Sequence, residues 1–152
     1  MKKLLPLLLL LTGCAPPLLA PPPPVPLSRR AQVEFRWDVK PRERRALLAG
    51  LDLAERAFLE IEGELPAVRR VVLWPRSVLP RAVTKGLPAR DRYTGVCRRG
   101  LFGATIQVAT GRRSPMEAIP HELRHALIGD GDHERAGWRR IDRIGRQLSL
   151  LP

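Results

Sequence analysis

Histidine occurs three times in this chain, as His121, His125 and His133, all within thirteen positions. On a helix, residues four apart lie one turn apart on the same face, so His121 and His125 can offer two imidazole nitrogens to one ion. Glu122 stands between them in the H-E-x-x-H spacing, where the two histidines suit Zn2+ and the carboxylate suits a general base. Catalytic zinc takes three protein ligands and keeps a fourth position open, so a third donor is required. His133 is the natural candidate, because Gly129 and Gly131 in the intervening turn let the chain reverse beneath the ion. Asp130, Asp132 and Glu134 stand as alternative third ligands, and Asp142 as an acid that would hold a liganding imidazole in place. The chemistry expected of this set is hydrolysis: a metal-activated water attacks a polarised carbonyl while Glu122 takes its proton. Two plainer readings compete, a histidine pair satisfied by packing and a structural zinc without turnover. The confinement of all three histidines around Glu122, with no cysteine nearby, disfavours both.

The elements that must position these residues can be read from periodicity. Val33, Phe35, Trp37 and Val39 alternate with Glu34, Arg36 and Asp38, which predicts a half-buried strand. From Pro41 to about Gly63, apolar residues recur at three and four (Leu47, Leu48, Leu51, Ala54, Phe58, Ile61), which predicts a helix backing a sheet. The run from Val68 to Trp74, stopped by Pro75, predicts a second strand, and Ala104 to Ala109 another. Residues 75 to 100 are rich in Pro, Gly and Arg without a period, and read as a long loop. Ser114-Pro115-Met116-Glu117 has the form of a capping box, opening a helix that ends at Gly129. Pro120 should kink that helix or delay its regular start. A last helix is expected from Glu134 to Leu148, with Trp138, Ile141, Ile144 and Leu148 as its inner stripe. The fold class is α+β: a short mixed or antiparallel sheet, a backing helix, the histidine-bearing helix and a C-terminal helix.

The N-terminus reads Met1-Lys2-Lys3, an apolar run from Leu4 to Leu11 broken by Pro6, then Thr12-Gly13-Cys14. A basic start, a short apolar core and small residues describe a signal peptide, too short for a comfortable membrane span. Leu11-Thr12-Gly13-Cys14 resembles the lipobox of bacterial lipoproteins. That resemblance implies cleavage before Cys14 and lipidation of Cys14, so a membrane anchor; with Ala15 rather than Asp next, it implies the outer membrane, facing the periplasm, in a two-membrane host. Residues 1–13 are thus expected as signal peptide, 14–32 as a lipidated Pro-rich tether of extended polyproline type, and 33–152 as the folded domain. With Cys14 acylated, Cys97 is unpaired; it is either an inert buried thiol or a thiolate able to block the zinc. The formal charge is +12, from 27 Lys+Arg against 15 Asp+Glu. The arginines are spread along the chain with no nucleic-acid motif, so no nucleic-acid partner is expected. A solvated surface beside anionic envelope material is.

The order strand, backing helix, further strands and H-E-x-x-H helix resembles that of the zincin metallopeptidases. The resemblance is specific over residues 114 to 133 and architectural elsewhere. It implies zinc-dependent cleavage of a peptide or protein substrate at the cell envelope, possible cell-wall association included. It also implies that the strand before the active-site helix, here Ala104 to Ala109, forms the rim that pairs with extended substrate. Tyr93, Arg139 and Arg140 are the side chains that could stabilise an oxyanion, with packing the competing role for Tyr93. The pattern departs from both large zincin clans. Metzincins place a glycine at position 128 and a histidine at 131, where this chain has Ile128 and Gly131, and no methionine follows Met116. Gluzincins use a glutamate from a later helix, but after Glu134 the only acid is Asp142. The alternative from another class is a non-catalytic envelope lipoprotein, whose metal holds the fold while it binds cell wall or a protein partner.

Overall fold

The computed structural model of the protein describes residues 23–88, 93–111, 115–129, 133, 136–148 and 150. The architecture is α+β. Four strands, β1 (Gln32–Phe35), β2 (Val68–Trp74), β3 (Gly95–Arg98) and β4 (Ala104–Ala109), form one mixed sheet in the order β1-β2-β4-β3. The first three in that order are parallel, and β3 runs antiparallel to β4 at the edge. Helices α1 (Leu27–Arg30), α2 (Pro41–Glu62), α3 (Arg81–Thr84), α4 (Pro115–Ile128) and α5 (Ala136–Leu148) complete the described elements.

Helix α2 starts where proline is tolerated and ends at Gly63, whose φ of 78° is the left-handed cap that returns its N–H to the Leu59 carbonyl. It crosses between the parallel strands β1 and β2, and its apolar stripe meets one sheet face. There Leu51, Ala54 and Phe58 join Val71, Leu73, Ile106, Val108, Ile119, Leu123 and Ile141 in the main core. The opposite face carries a smaller cluster, in which Trp74, Val83, Leu87 and Tyr93 pack on Leu79, Val96 and Ala109. Side chains alternate between faces along a strand, so β3 turns Gly95 and Cys97 toward α4 and Val96 away from it.

Several expectations are corrected. The stretch 75–100 is not a loop throughout: it holds α3 and β3. The first strand is shorter than Val33–Val39 and starts at Gln32. The strand before the histidine helix cannot be a substrate-pairing rim, because β4 has β2 on one side and β3 on the other. Among the described residues the edge strands are β1 and β3, and β3 is the one that packs against α4. The folded part begins before residue 33, since Leu27 is fully buried in the core and α1 is stapled to α2. The Leu27 N–H donates to Glu55 Oε2 at 2.7 Å, Arg30 pairs with the same carboxylate, and Ser28 donates to Asp52 from both backbone and side chain. The expected signal peptide, residues 1–13, and Cys14 itself lie outside the described residues.

Pro120 sits inside α4 without ending it. Among the described residues, no helix is long and apolar enough to cross a membrane.

Leu27→Ala should therefore lower the unfolding free energy by roughly 3 kcal/mol, the usual cost of emptying a fully buried leucine site. A urea titration followed by circular dichroism reads this as a fall in midpoint; an unchanged midpoint would mean that α1 is not part of the folded unit.

Candidate metal centre

Helix α4 carries two faces. Ile119, Leu123 and Ala126 point into the core, while His121 and His125 lie on a partly exposed face toward α5. Gly129, at φ 69°, ends the helix with its N–H on the His125 carbonyl, and the chain returns so that His133 faces the pair. His133 Nε2 lies 3.1 Å from His121 Nε2 and 3.2 Å from His125 Nε2. The three residues form a cluster whose ligand atoms lie within 4.8 Å of one another, able to hold a metal ion. Tetrahedral ligands about 2.05 Å from a zinc ion sit about 3.3 Å apart, close to these separations.

The hydrogen-bond chemistry of the cluster also fits a cation. His121 Nδ1 lies 2.9 Å from Asp142 Oδ1 on α5, and a carboxylate can only accept, so the His121 proton belongs on Nδ1. That leaves Nε2 of His121 as a lone pair aimed inward. A single N–H on His133 cannot serve both neighbouring nitrogens, whereas one cation satisfies all three lone pairs. Asp142 thus fixes tautomer and ring orientation in the manner common around liganded histidines.

Trp138 forms the floor of the cluster. Its ring centroid lies 4.8 Å from that of His121 and 4.6 Å from those of His125 and His133, and its side chain is 1% exposed. The Arg124 guanidinium lies over the same indole at 5.2 Å and pairs with Glu62 at the end of α2. This arginine therefore ties α2, α4 and α5 together around the site.

Glu122 is buried beside β3: it is 4% exposed, and its Oε2 has no hydrogen-bond partner among the described residues. Its Oε1 occupies the space beside Gly95, where an added Cβ would come within 2.3 Å of it. Burial pushes the Glu122 carboxyl up to about 8. A carboxyl so raised is mostly protonated at neutral pH, and a cation at the nearby histidines would oppose the shift and favour the carboxylate that can accept a proton.

The remaining expected residues divide. His121, His125 and His133 are brought together, Glu122 lies beside them on α4, and Asp142 joins them through His121. Asp130, Asp132 and Glu134 lie outside the described residues. Tyr93 packs on the far sheet face and donates its hydroxyl to the Pro88 carbonyl, which takes it away from the cluster. Arg139 and Arg140 are exposed on α5. Cys97 faces α4, and burial, followed by the nearby Glu122 carboxylate, pushes its thiol up to about 12, which disfavours a zinc-blocking thiolate. Gly95 and the role of Trp138 as a platform were not visible in the sequence. The spacing of Trp138 marks it as buried, but not as the surface on which three imidazoles rest.

One divalent ion should bind per chain, with affinity falling at least tenfold in His133→Ala and about 10- to 100-fold in Asp142→Asn. Elemental analysis and competition with a chelating dye measure both; equal affinity in all three proteins would separate the ion from this cluster. In the chain from residue 23, Cys97 should react with a maleimide at pH 8 at least about 100-fold more slowly than an unhindered thiol. Denaturant should restore the ordinary rate.

Comparison with protein families, with curated proteins and with solved structures finds no match to this chain.

Proposed function

We propose that the protein is a zinc-dependent hydrolase of the zincin type that cleaves peptide bonds at the cell envelope, held there by a lipid on Cys14. One observation carries this reading: three histidine Nε2 atoms converge, and Glu122, next in sequence to His121, is buried against edge strand β3 with its Oε2 lacking a partner among the described residues. Structural metal sites need no such acid.

His121, His125 and His133 would hold a zinc ion, which would supply Lewis acidity to acidify a water molecule and polarise the substrate carbonyl. Asp142 fixes the His121 ring so that its Nε2 faces the other two histidines. Glu122 accepts the proton of the attacking water at a carboxylate oxygen and returns it to the leaving amine. Its burial keeps it basic and excludes bulk water from the proton transfer.

Strand β3 gives the substrate a place to lie. An extended peptide added to its outer edge pairs through main-chain hydrogen bonds, which suits hydrolysis of backbone amides. Gly95 leaves room for Glu122 between that edge and α4, because any side chain there would collide with the carboxylate. The basic surface favours acidic substrates.

Glu122→Gln separates this reading from a structural metal. It should keep the metal and the fold but lose about 10²- to 10⁴-fold in turnover of a peptide library by the zinc-loaded protein. Zinc-loaded wild type that cleaves no better than Glu122→Gln would leave a metal that only holds the fold.

A further inference from the structure

The hairpin between β3 and β4 is unusual in its chemistry. Gly100 and Gly103 exchange backbone hydrogen bonds of 3.2 and 3.3 Å, closing a two-residue turn whose tip is Leu101-Phe102. Two-residue turns ordinarily carry Asn, Asp or Gly, which stay solvated at no cost. Here Leu101 is 98% and Phe102 82% exposed. The turn is not loose: Gly103, at φ 114°, packs so closely that an added Cβ would lie 2.9 Å from the Ala67 carbonyl. Two large apolar side chains are thus presented on a rigid projection.

The ground around the tip is basic. Arg98 and Arg99 immediately precede it and are exposed. Arg98 clasps the Val83 and Lys85 carbonyls, which brings the exposed Lys85 to the same side. Arg69, also exposed, falls where the β2–β4 register slips between Val68 and Arg70, beside Gly103. Glu64 is the exposed acid in the neighbouring turn between α2 and β2. Positive charge dominates.

The chain that leads toward Cys14 leaves from this side. Val68 pairs with Ala104 and Gln32 with Arg70, so β1 begins at the hairpin end of the sheet, and Arg30 just before it reaches the Pro66 carbonyl. Leu27 meets α2 at Glu55, seven residues from its end at Glu62, or about 10 Å along the axis. The twelve residues from 15 to 26 can cover that distance several times over.

From this juxtaposition we propose that the Leu101-Phe102 hairpin tip is a membrane-docking element, which inserts into the interface of an anionic bilayer while Arg69, Arg99 and Lys85 meet the lipid headgroups. Apolar tips flanked by cations bind such surfaces by burying hydrocarbon and neutralising lipid charge. The docking fixes the domain's orientation on the membrane. Because Arg99 also lies against Gly129 at the end of α4, it sets the histidine cluster close to the lipid surface. The proposal stands independently of the hydrolase reading.

The test uses the chain from Pro23, which contains every buried core residue from Leu27 to Leu148. Flotation with vesicles of phosphatidylcholine containing about one third phosphatidylglycerol should carry the protein, less so as salt is raised. Leu101→Ser with Phe102→Ser should cut the bound fraction at least fivefold, with an unchanged thermal melt because both side chains are exposed. Equal flotation of wild type and this variant overturns the proposal, as does a dimer in solution that the variant dissociates, which would make a second copy the occupant. Should the double variant not fold, Phe102→Cys carrying an environment-sensitive dye serves, Cys97 being slow to label. A blue shift on adding the anionic vesicles supports insertion, and an unshifted spectrum excludes it.

Discussion

The close crossing of α4 and α5 is the contact on which the metal cluster depends. Two histidines come from the first helix, while the floor and the orienting acid come from the second. The helices must therefore approach more closely than ordinary side chains allow. Glycines make this possible: a Cβ on Gly145 would lie 2.4 Å from the Glu117 carbonyl, and one on Gly137 would strike the Arg124 guanidinium. With the backbones so near, Trp138 can pack, tilted, against all three imidazoles and Asp142 can reach His121.

A second constraint comes from the sheet. The parallel crossover through α2 places β1 and β2 side by side, and β4 joins β2 on its other flank. The short hairpin into β4 then forces β3 to the outside and makes it antiparallel, since a tight turn can only reverse direction. This puts a glycine-bearing edge strand alongside α4, next to Glu122. The buried acid beside an edge strand is thus a consequence of one topological choice, and His121 and His125 lie one and three residues from Glu122 on the same helix.

Much of this was legible in the residues. Strands β2 and β4 are spelled by β-branched runs bounded by Pro and Gly, and their ends coincide with the structure. Helix α2 is bounded by Pro41 and Gly63 as its signals imply. The three histidines could be grouped because a side chain's chemistry and spacing are local properties. What could not be read depends on distant partners. Strand β3 has four residues, begins with glycine and sits in a Pro- and Arg-rich stretch, so only its pairing with β4 makes it a strand. Leu27 looks like an extension of the proline run until Glu55, 28 residues later, supplies the acceptor for its N–H. Gly95 acquires its meaning only from a carboxylate on another element. Pro120 suggests a break, yet α4 runs through it, because Ile119 and Leu123 are fully buried on either side and hold the helix in place.

All the groups that hold or orient the ion, from His121 to Asp142, belong to one helical hairpin. None comes from the sheet. In the language of cooperative units, an ion bound there would close a short loop within a single foldon, and its binding free energy would be delivered to that unit first. The sheet and α2 share a core with α4 through Ile119 and Leu123, but their own contacts do not require the ligands to meet. A bound ion would then act as a clasp between α4 and α5 rather than as a keystone of the whole domain. Such a division would let the domain fold largely without its ion and take it up afterwards, with the last helix alone waiting to be fastened.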